Sequence, residues 1–220
     1  MADETTDALP DPLQAPLTVC VDVAHAECWL TVAPVRALAD SLEVDVDWLP
    51  FPTPLPRPPQ TPPGAPESRG VRHRRLRARY REMDLERYAA AQGLTLRASA
   101  PPFDSTLASL GLLWLRERAP ERRAAYLHAV CAAYWSGRST VEHRDAVQQG
   151  FDAAGIDAAG FAEFAAGSGP GRLARLREAL VAAGVFTVPT LLVEGEPFVG
   201  RAHLPMVRWL LTGRTGPPPI

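Results

Sequence analysis

Gly184-Val185-Phe186-Thr187-Val188-Pro189-Thr190-Leu191-Leu192-Val193-Glu194-Gly195 is the stretch whose reading decides the fold. A glycine closes a helical run, and a β-branched run follows that one proline interrupts before Thr190 to Val193 resume it. Proline has no N–H to give to a ladder and avoids strand interiors. At the head of a strand it leaves the N–H and C=O of Val188 free for something other than sheet pairing. X-Pro is also the linkage at which a cis peptide costs only about 0.5–1 kcal/mol. The stretch therefore predicts a cis Val188-Pro189 bond beside a binding groove; an ordinary trans proline at a strand start is the alternative left open by local sequence.

Working outward, Pro170 opens the helix that Gly184 ends as a C′ residue. Downstream, the Glu194-Gly195-Glu196-Pro197 turn and Phe198-Val199 make a hairpin, and a helix from about His203 to Leu211 closes the chain. At the other end, Leu17 to Val23 reads as a buried parallel strand. A helix of roughly Glu27 to Ser41 follows, with Leu30, Val35, Leu38 and Leu42 as its apolar stripe and Pro34 expected to kink it. Val44 to Leu49 alternates as a second strand, completing a βαβ unit. Residues 50–66 are proline-rich and read as an extended loop. Helices fill the rest: Arg69 to Glu86 with its dense arginine run, one opening at Phe103-Asp104-Ser105-Thr106, and Glu121 to Trp135. A further one starts at the capping box Ser139-Thr140-Val141-Glu142, and a short one spans Asp157 to Ala166.

This order predicts an α/β chain: a thioredoxin-like fold with an inserted all-helical domain. Residues 1–16 read as a disordered leader, 17–66 and 184–213 as the thioredoxin-like domain, 67–183 as the helical insertion and 214–220 as a tail. At 220 residues and 46 % hydrophobic, the chain is long enough to bury a sizeable core. All 23 basic residues are arginines, which removes lysine Schiff-base chemistry. A net charge of −2 gives no global reason to expect nucleic acid or an anionic membrane as partner. The arginine run reads as a solvated helix face, with steering of an acidic small molecule as the further option. The leader has no apolar run, no stretch reaches the ~18 apolar residues of a membrane span, and the expectation is a cytoplasmic protein. Cys20, Cys28 and Cys131 have no zinc-like spacing, so no metal is expected, and a reducing compartment argues against a structural disulfide.

Three segments resemble the DsbA-like thioredoxin superfamily, and within it the branch of 2-hydroxychromene-2-carboxylate isomerases and kappa-class glutathione transferases. Gly184 to Thr190, with Glu194-Gly195 and Phe198-Val199-Gly200, is similar to that branch's GVFGVPT…DG…FWG ending. Asp84-Leu85-Glu86-Arg87-Tyr88-Ala89 with Gly93-Leu94 resembles its helical-domain entry, and Ala133-Tyr134-Trp135-Ser136-Gly137-Arg138 its AYW-x-x-GR stretch. The resemblance implies an active residue just after the first strand, at the N-terminus of the first helix: Cys-x-x-Cys in the thiol oxidoreductases, a Ser-Pro-Tyr type sequence in the isomerase branch. Here those positions read His25-Ala26-Glu27-Cys28. Only the second cysteine position keeps its sulfur, and Gly200-Arg201-Ala202-His203-Leu204 lacks the acid of the branch's G-x-D-R-L.

The candidate catalytic residues are accordingly His25 and Cys28. His25 stands where unpaired N–H groups and about half a positive charge gather; that field favours a neutral imidazole, which suits a general base. A plain capping or loop histidine is its structural alternative. Val188, Pro189, Glu27 and Asp104 are the candidate substrate-binding residues, with helix capping the competing role for Asp104. Glu27 would oppose a thiolate held nearby. The resemblance implies glutathione as a possible cofactor, a small-molecule substrate or thiol as partner, and a possible homodimer. The chain is expected to be an isomerase-like or glutathione-dependent enzyme. The alternatives are a monothiol oxidoreductase working through Cys28, with a Cys20–Cys28 pair as a remote variant, and a redox-inactive protein that binds a peptide or metabolite in the groove.

Overall fold

The computed structural model describes residues 14–53, 68–96, 104–136 and 143–219. The capping box at Ser139 and most of the proline-rich loop lie outside them. Four strands form one mixed sheet in the order β2-β1-β3-β4: β1 Leu17–Val21, β2 Val46–Pro50, β3 Thr190–Val193 and β4 Glu196–Val199. β1 runs parallel to β2 and antiparallel to β3, while β3 and β4 form a hairpin closed by Glu194 and Gly195, both with positive φ. Pro50 ends β2, an edge strand, where a missing N–H costs no ladder bond.

β1 stops at Val21, two residues short of the expected end. The N–H of Asp22 turns away from the sheet and donates to Cys28 Sγ at 3.3 Å. α1 (Ala26–Leu42) then crosses to β2 and runs unbroken through Pro34. The proline removes the donor that would meet the Leu30 carbonyl, and Gln92 Nε2 replaces it at 2.9 Å. The expected disruption is thus absorbed by a side chain from the end of the next helix.

Between β2 and β3 come α2 (Arg69–Ala91), α3 (Thr106–Arg118), α4 (Arg123–Trp135, after a 3-10 turn), α5 (His143–Ala154), α6 (Phe161–Ala166) and α7 (Gly169–Ala182). α7 ends on Gly184 (φ 87°), with the Val185 N–H returning to the Leu180 carbonyl at 2.9 Å. α8 (Leu204–Leu211) closes the chain. Sheet and helices share one continuous buried cluster, from Val19 and Leu191 through Leu113 to Trp114, Tyr126, Phe151 and Phe161. At its centre the Tyr126 ring fits against Gly111, where any side chain would collide with the phenol, and its hydroxyl donates to the Ala108 carbonyl at 3.0 Å.

Helices and sheet are also fastened by one buried charge cluster. Asp47 of β2 is buried, and both its oxygens accept from guanidinium groups, Arg116 of α3 (Nη2 at 2.8 Å) and Arg123 of α4. Burial lowers the Arg123 pKa from its ordinary value, and the Asp47 charge works against that shift. Among the described residues no helix is long and apolar enough to cross a membrane.

Candidate active site at the head of the first helix

The turn from β1 into α1 is built around the buried carboxylate of Asp22. Its Oδ1 accepts the Ala24 N–H at 3.0 Å, and its Oδ2 accepts the Thr53 N–H at 2.8 Å, from the chain leaving β2. The His25 N–H donates to the Asp22 carbonyl at 3.0 Å. Trp135 Nε1 of α4 donates to the Val23 carbonyl at 2.8 Å, pinning the turn to the helices.

His25 is the N-cap of α1, with extended backbone (φ −115°, ψ 117°), and its side chain caps no helix N–H. The imidazole is instead engaged sideways: Nε2 lies 2.8 Å from Thr53 Oγ1 and 4.0 Å from Asp22 Oδ2. It is mostly sheltered, with 12 % of the side chain exposed. The imidazole, the Thr53 hydroxyl and the Asp22 carboxylate thus sit together at the positive end of a 17-residue helix.

Cys28 is a different kind of residue. It is fully buried, burial pushes its thiol well above the ordinary range, and the sulfur serves as acceptor for the Asp22 N–H. A thiol so placed is neither accessible nor ionised, so the geometry gives it a packing role rather than the attacking role considered from sequence. Cys20 and Cys131 are buried free thiols too; Cys20, in mid-sheet opposite Leu49 and Thr190, is raised to about 12 by burial and then by Asp47.

Glu27 lies in the first turn of α1, its Oε1 3.7 Å from Arg81 Nε of α2. That neighbour offsets the charge that otherwise opposes an anion at the helix end. Asp104 does not join this unit. Its Oδ1 accepts from the Thr106 N–H at 2.8 Å and Thr106 Oγ1 at 2.5 Å, which sets the start of α3. Its charge also reaches Tyr134, whose hydroxyl is raised to about 12 by burial first and Asp104 second.

The Val188-Pro189 peptide bond is cis. β1 and β3 pair as Cys20 with Thr190; continuing that register brings Pro189 opposite Val21 and Val188 opposite Asp22. Among the described residues no backbone hydrogen bond engages the N–H or carbonyl of Val188. The Pro189 carbonyl accepts the Gly200 N–H at 2.8 Å, and the next residue, Arg201, reaches α2, pairing with Asp84 at 3.2 Å and stacking on Tyr88 at 3.5 Å. Among the described residues no group of three or more His, Cys, Asp or Glu side chains is arranged to hold a metal ion.

The structure sets His25 beside Asp22 and Thr53, two residues that sequence reasoning did not single out, while Arg81 belongs to the arginine run that it had considered for steering an acidic small molecule. Asp22 carried a faint signal, an acid at the end of an apolar strand. Thr53 carried none, because only the parallel pairing of β1 with β2 brings it to His25.

The DSBA-like thioredoxin domain family matches residues 21–211. No curated protein matches the sequence. Among solved structures, a 2-hydroxychromene-2-carboxylate isomerase is similar over 90 % of this chain and 94 % of its own, with 17 % identity and a TM-score of 0.65. A probable DsbA oxidoreductase from Streptomyces coelicolor covers 93 % and 92 %, at 18 % identity and a TM-score of 0.65. The cytosolic disulfide reductase DsbM from Pseudomonas aeruginosa, solved with GSH, covers 90 % and 98 %, at 19 % identity and 0.56. At these identities the likeness is one of fold.

Proposed function

The chain belongs to the DSBA-like thioredoxin family, and on that premise we propose that it is a small-molecule enzyme of the isomerase-like, glutathione-binding kind rather than a thiol–disulfide oxidoreductase. The observation that carries this reading is the contact of His25 Nε2 with Thr53 Oγ1 at 2.8 Å, beside the buried Asp22 carboxylate at the head of α1. It replaces a nucleophilic sulfur with a group that moves protons. The burial of Cys28 supports the same choice, since an exchange reaction needs an accessible thiolate.

The residues present fit a glutathione-like ligand. Val188, whose N–H and carbonyl have no backbone partner among the described residues, suits pairing with an extended peptide backbone, and Arg81 beside Glu27 tempers the acid nearest the helix end. When bound, glutathione supplies a thiol. The chain's own contribution is to hold that ligand along Val188, to receive or return a proton at His25 Nε2, and to steady the resulting imidazolium with Asp22. The isomerase and the GSH-bound reductase among the structural neighbours lend this assignment its chemical context.

The test is thermal denaturation at millimolar glutathione, with wild type, His25→Ala and Cys28→Ser, followed by turnover on aromatic-acid and thiol substrates. Glutathione is expected to raise the Tm of wild type and Cys28→Ser but not of His25→Ala, and turnover is expected to follow the same division. Disulfide exchange that survives His25→Ala and vanishes in Cys28→Ser would overturn the proposal.

A further inference from the structure

Thr53 enters the candidate site through its side chain and its backbone at once. Beyond β2 the Phe51 N–H donates to the Val21 carbonyl at 2.8 Å, which carries the next residues past the head of α1. There Thr53 Oγ1 lies 2.8 Å from His25 Nε2, and the Thr53 N–H donates to Asp22 Oδ2, also at 2.8 Å. A hydroxyl within hydrogen-bond reach of an imidazole, with a third group fixing the pair, is the arrangement that activates a weak nucleophile. Here the third group steadies the backbone that carries the hydroxyl rather than the base, since Asp22 Oδ2 is 4.0 Å from Nε2, beyond hydrogen-bond distance. Beside the pair, α1 begins on an N-cap whose side chain caps nothing, and among the described residues the N–H groups of Ala26 and Glu27 have no hydrogen-bond partner. These first N–H groups point out of the helix end and carry its partial positive charge. Thr53 itself is half-buried, so its hydroxyl is sheltered without being sealed off.

We propose that Thr53 is a nucleophile and that this site transfers the acyl group of small esters or thioesters to water through an acyl-Thr53 intermediate. With its own proton on Nδ1, His25 takes the Thr53 hydroxyl proton at Nε2 while Oγ1 adds to the acyl carbonyl carbon. The carbonyl oxygen, now negative, is received by the Ala26 and Glu27 N–H groups. The adduct collapses, the C–O or C–S bond to the leaving group breaks, and Nε2 returns the proton to the departing oxygen or sulfur. Water then attacks the acyl-Thr53 ester and gives a proton to Nε2. Oγ1 leaves with that proton, and the carboxylic acid is released. One ester or thioester and one water become one acid and one alcohol or thiol, with no oxidant, reductant or further reactant. Glutathione takes no part in these steps, so the activity goes beyond the reading above while sharing His25 with it.

The probe is p-nitrophenyl acetate, mixed with the full chain in the absence of glutathione and quenched with acid for mass spectrometry. Wild type is expected to release a burst of nitrophenolate and to carry one acetyl group, on the peptide that contains Thr53. Thr53→Ser is expected to keep both, and Thr53→Val, with an unchanged circular dichroism spectrum, to lose both. His25→Ala is expected to slow acetylation by about 10²-fold or more. A wild type that stays unacetylated overturns the proposal. So does an acetyl group found on any residue other than Thr53, or acetylation that Thr53→Val leaves unchanged. Should Thr53→Val fail to fold, the position of the acetyl group in wild type and in Thr53→Ser decides by itself. The rise in Tm with glutathione is read without any ester, and the acetyl group without any glutathione, so the failure of one proposal is distinguishable from the failure of the other.

Discussion

Two aspartates are buried beside the same sheet, and they are used in opposite ways. Asp47, within β2, is enclosed by the guanidinium groups of Arg116 and Arg123, which arrive from two helices. Asp22, just past β1, is met by the backbone N–H groups of Ala24 and Thr53, with one imidazole 4.0 Å away. The first has fixed cations on both oxygens and can do nothing except hold. The second has its hydrogen bonds filled by neutral donors, and the ionisable group it faces can gain or lose a proton. The difference lies in the partners, since both carboxylates are buried and both tie distant segments together.

If Asp47 is a fastening, its removal is the most damaging change in the molecule. Asp47→Ala leaves two guanidinium groups facing each other without their counter-charge, a loss of about 3–5 kcal/mol, read from equilibrium urea unfolding. Activity per folded molecule is expected to remain. A loss below about 1 kcal/mol would show that the pair holds nothing the hydrophobic cluster does not already hold.

Asp22→Asn is expected to cost less stability and more function. The amide keeps one acceptor but turns an NH2 toward either Ala24 or Thr53, at about 1–3 kcal/mol for the N–H left unpaired. It also removes the charge facing His25, so the glutathione-induced rise in Tm and any turnover should shrink well beyond the drop in stability. A variant as unstable as Asp47→Ala, or one with unchanged ligand response, would erase the contrast between the two sites. Thr53→Val probes the other neighbour of His25 at nearly constant shape. Loss of one hydrogen bond is worth about 1 kcal/mol, about fivefold in turnover, and the backbone bond to Asp22 should survive it.

How much of this could be read in advance follows from which forces act locally. The strand Thr190–Val193, the glycine that stops α7 and the hairpin at Glu194-Gly195 are set by turn chemistry and β-branching within a few residues, and the sequence displays them directly. His25 was visible because it stands at a helix head. The role of Asp47 was not legible, because period-two alternation marks a strand without showing that two arginines, 69 and 76 positions later, will cover one of its acids. At Pro34 the lost donor was legible but its replacement was not, since Gln92 is far along the chain yet supplies the donor that Leu30 lacks. The Asp22–His25–Thr53 unit was half legible: its β1 end is local, and Thr53 arrives only through the β1–β2 register.

A second histidine gives the gentlest test of what a carboxylate does for an imidazole. Among the described residues His128 of α4 has no acid paired with it; its Nδ1 accepts the Trp29 indole N–H at 3.3 Å, which requires that nitrogen to be unprotonated. Burial first, and the charge of Arg36 second, lower its pKa below the ordinary 6.5. Unfolding releases the group to its ordinary value. As pH falls through about 6.5, the unfolded chain therefore takes up a proton that the native state resists, and native stability declines. The decline ends once the pH has passed below the lowered native value. Because His128 is only partly covered, solvent screens the effect and the slope should be shallow. Urea midpoints of wild type and His128→Gln between pH 7.5 and 5 read it as a difference, with the variant losing less on acidification. Equal slopes would mean that the Trp29 contact does not discriminate between the two protonation states, leaving Asp22 as the feature that sets His25 apart.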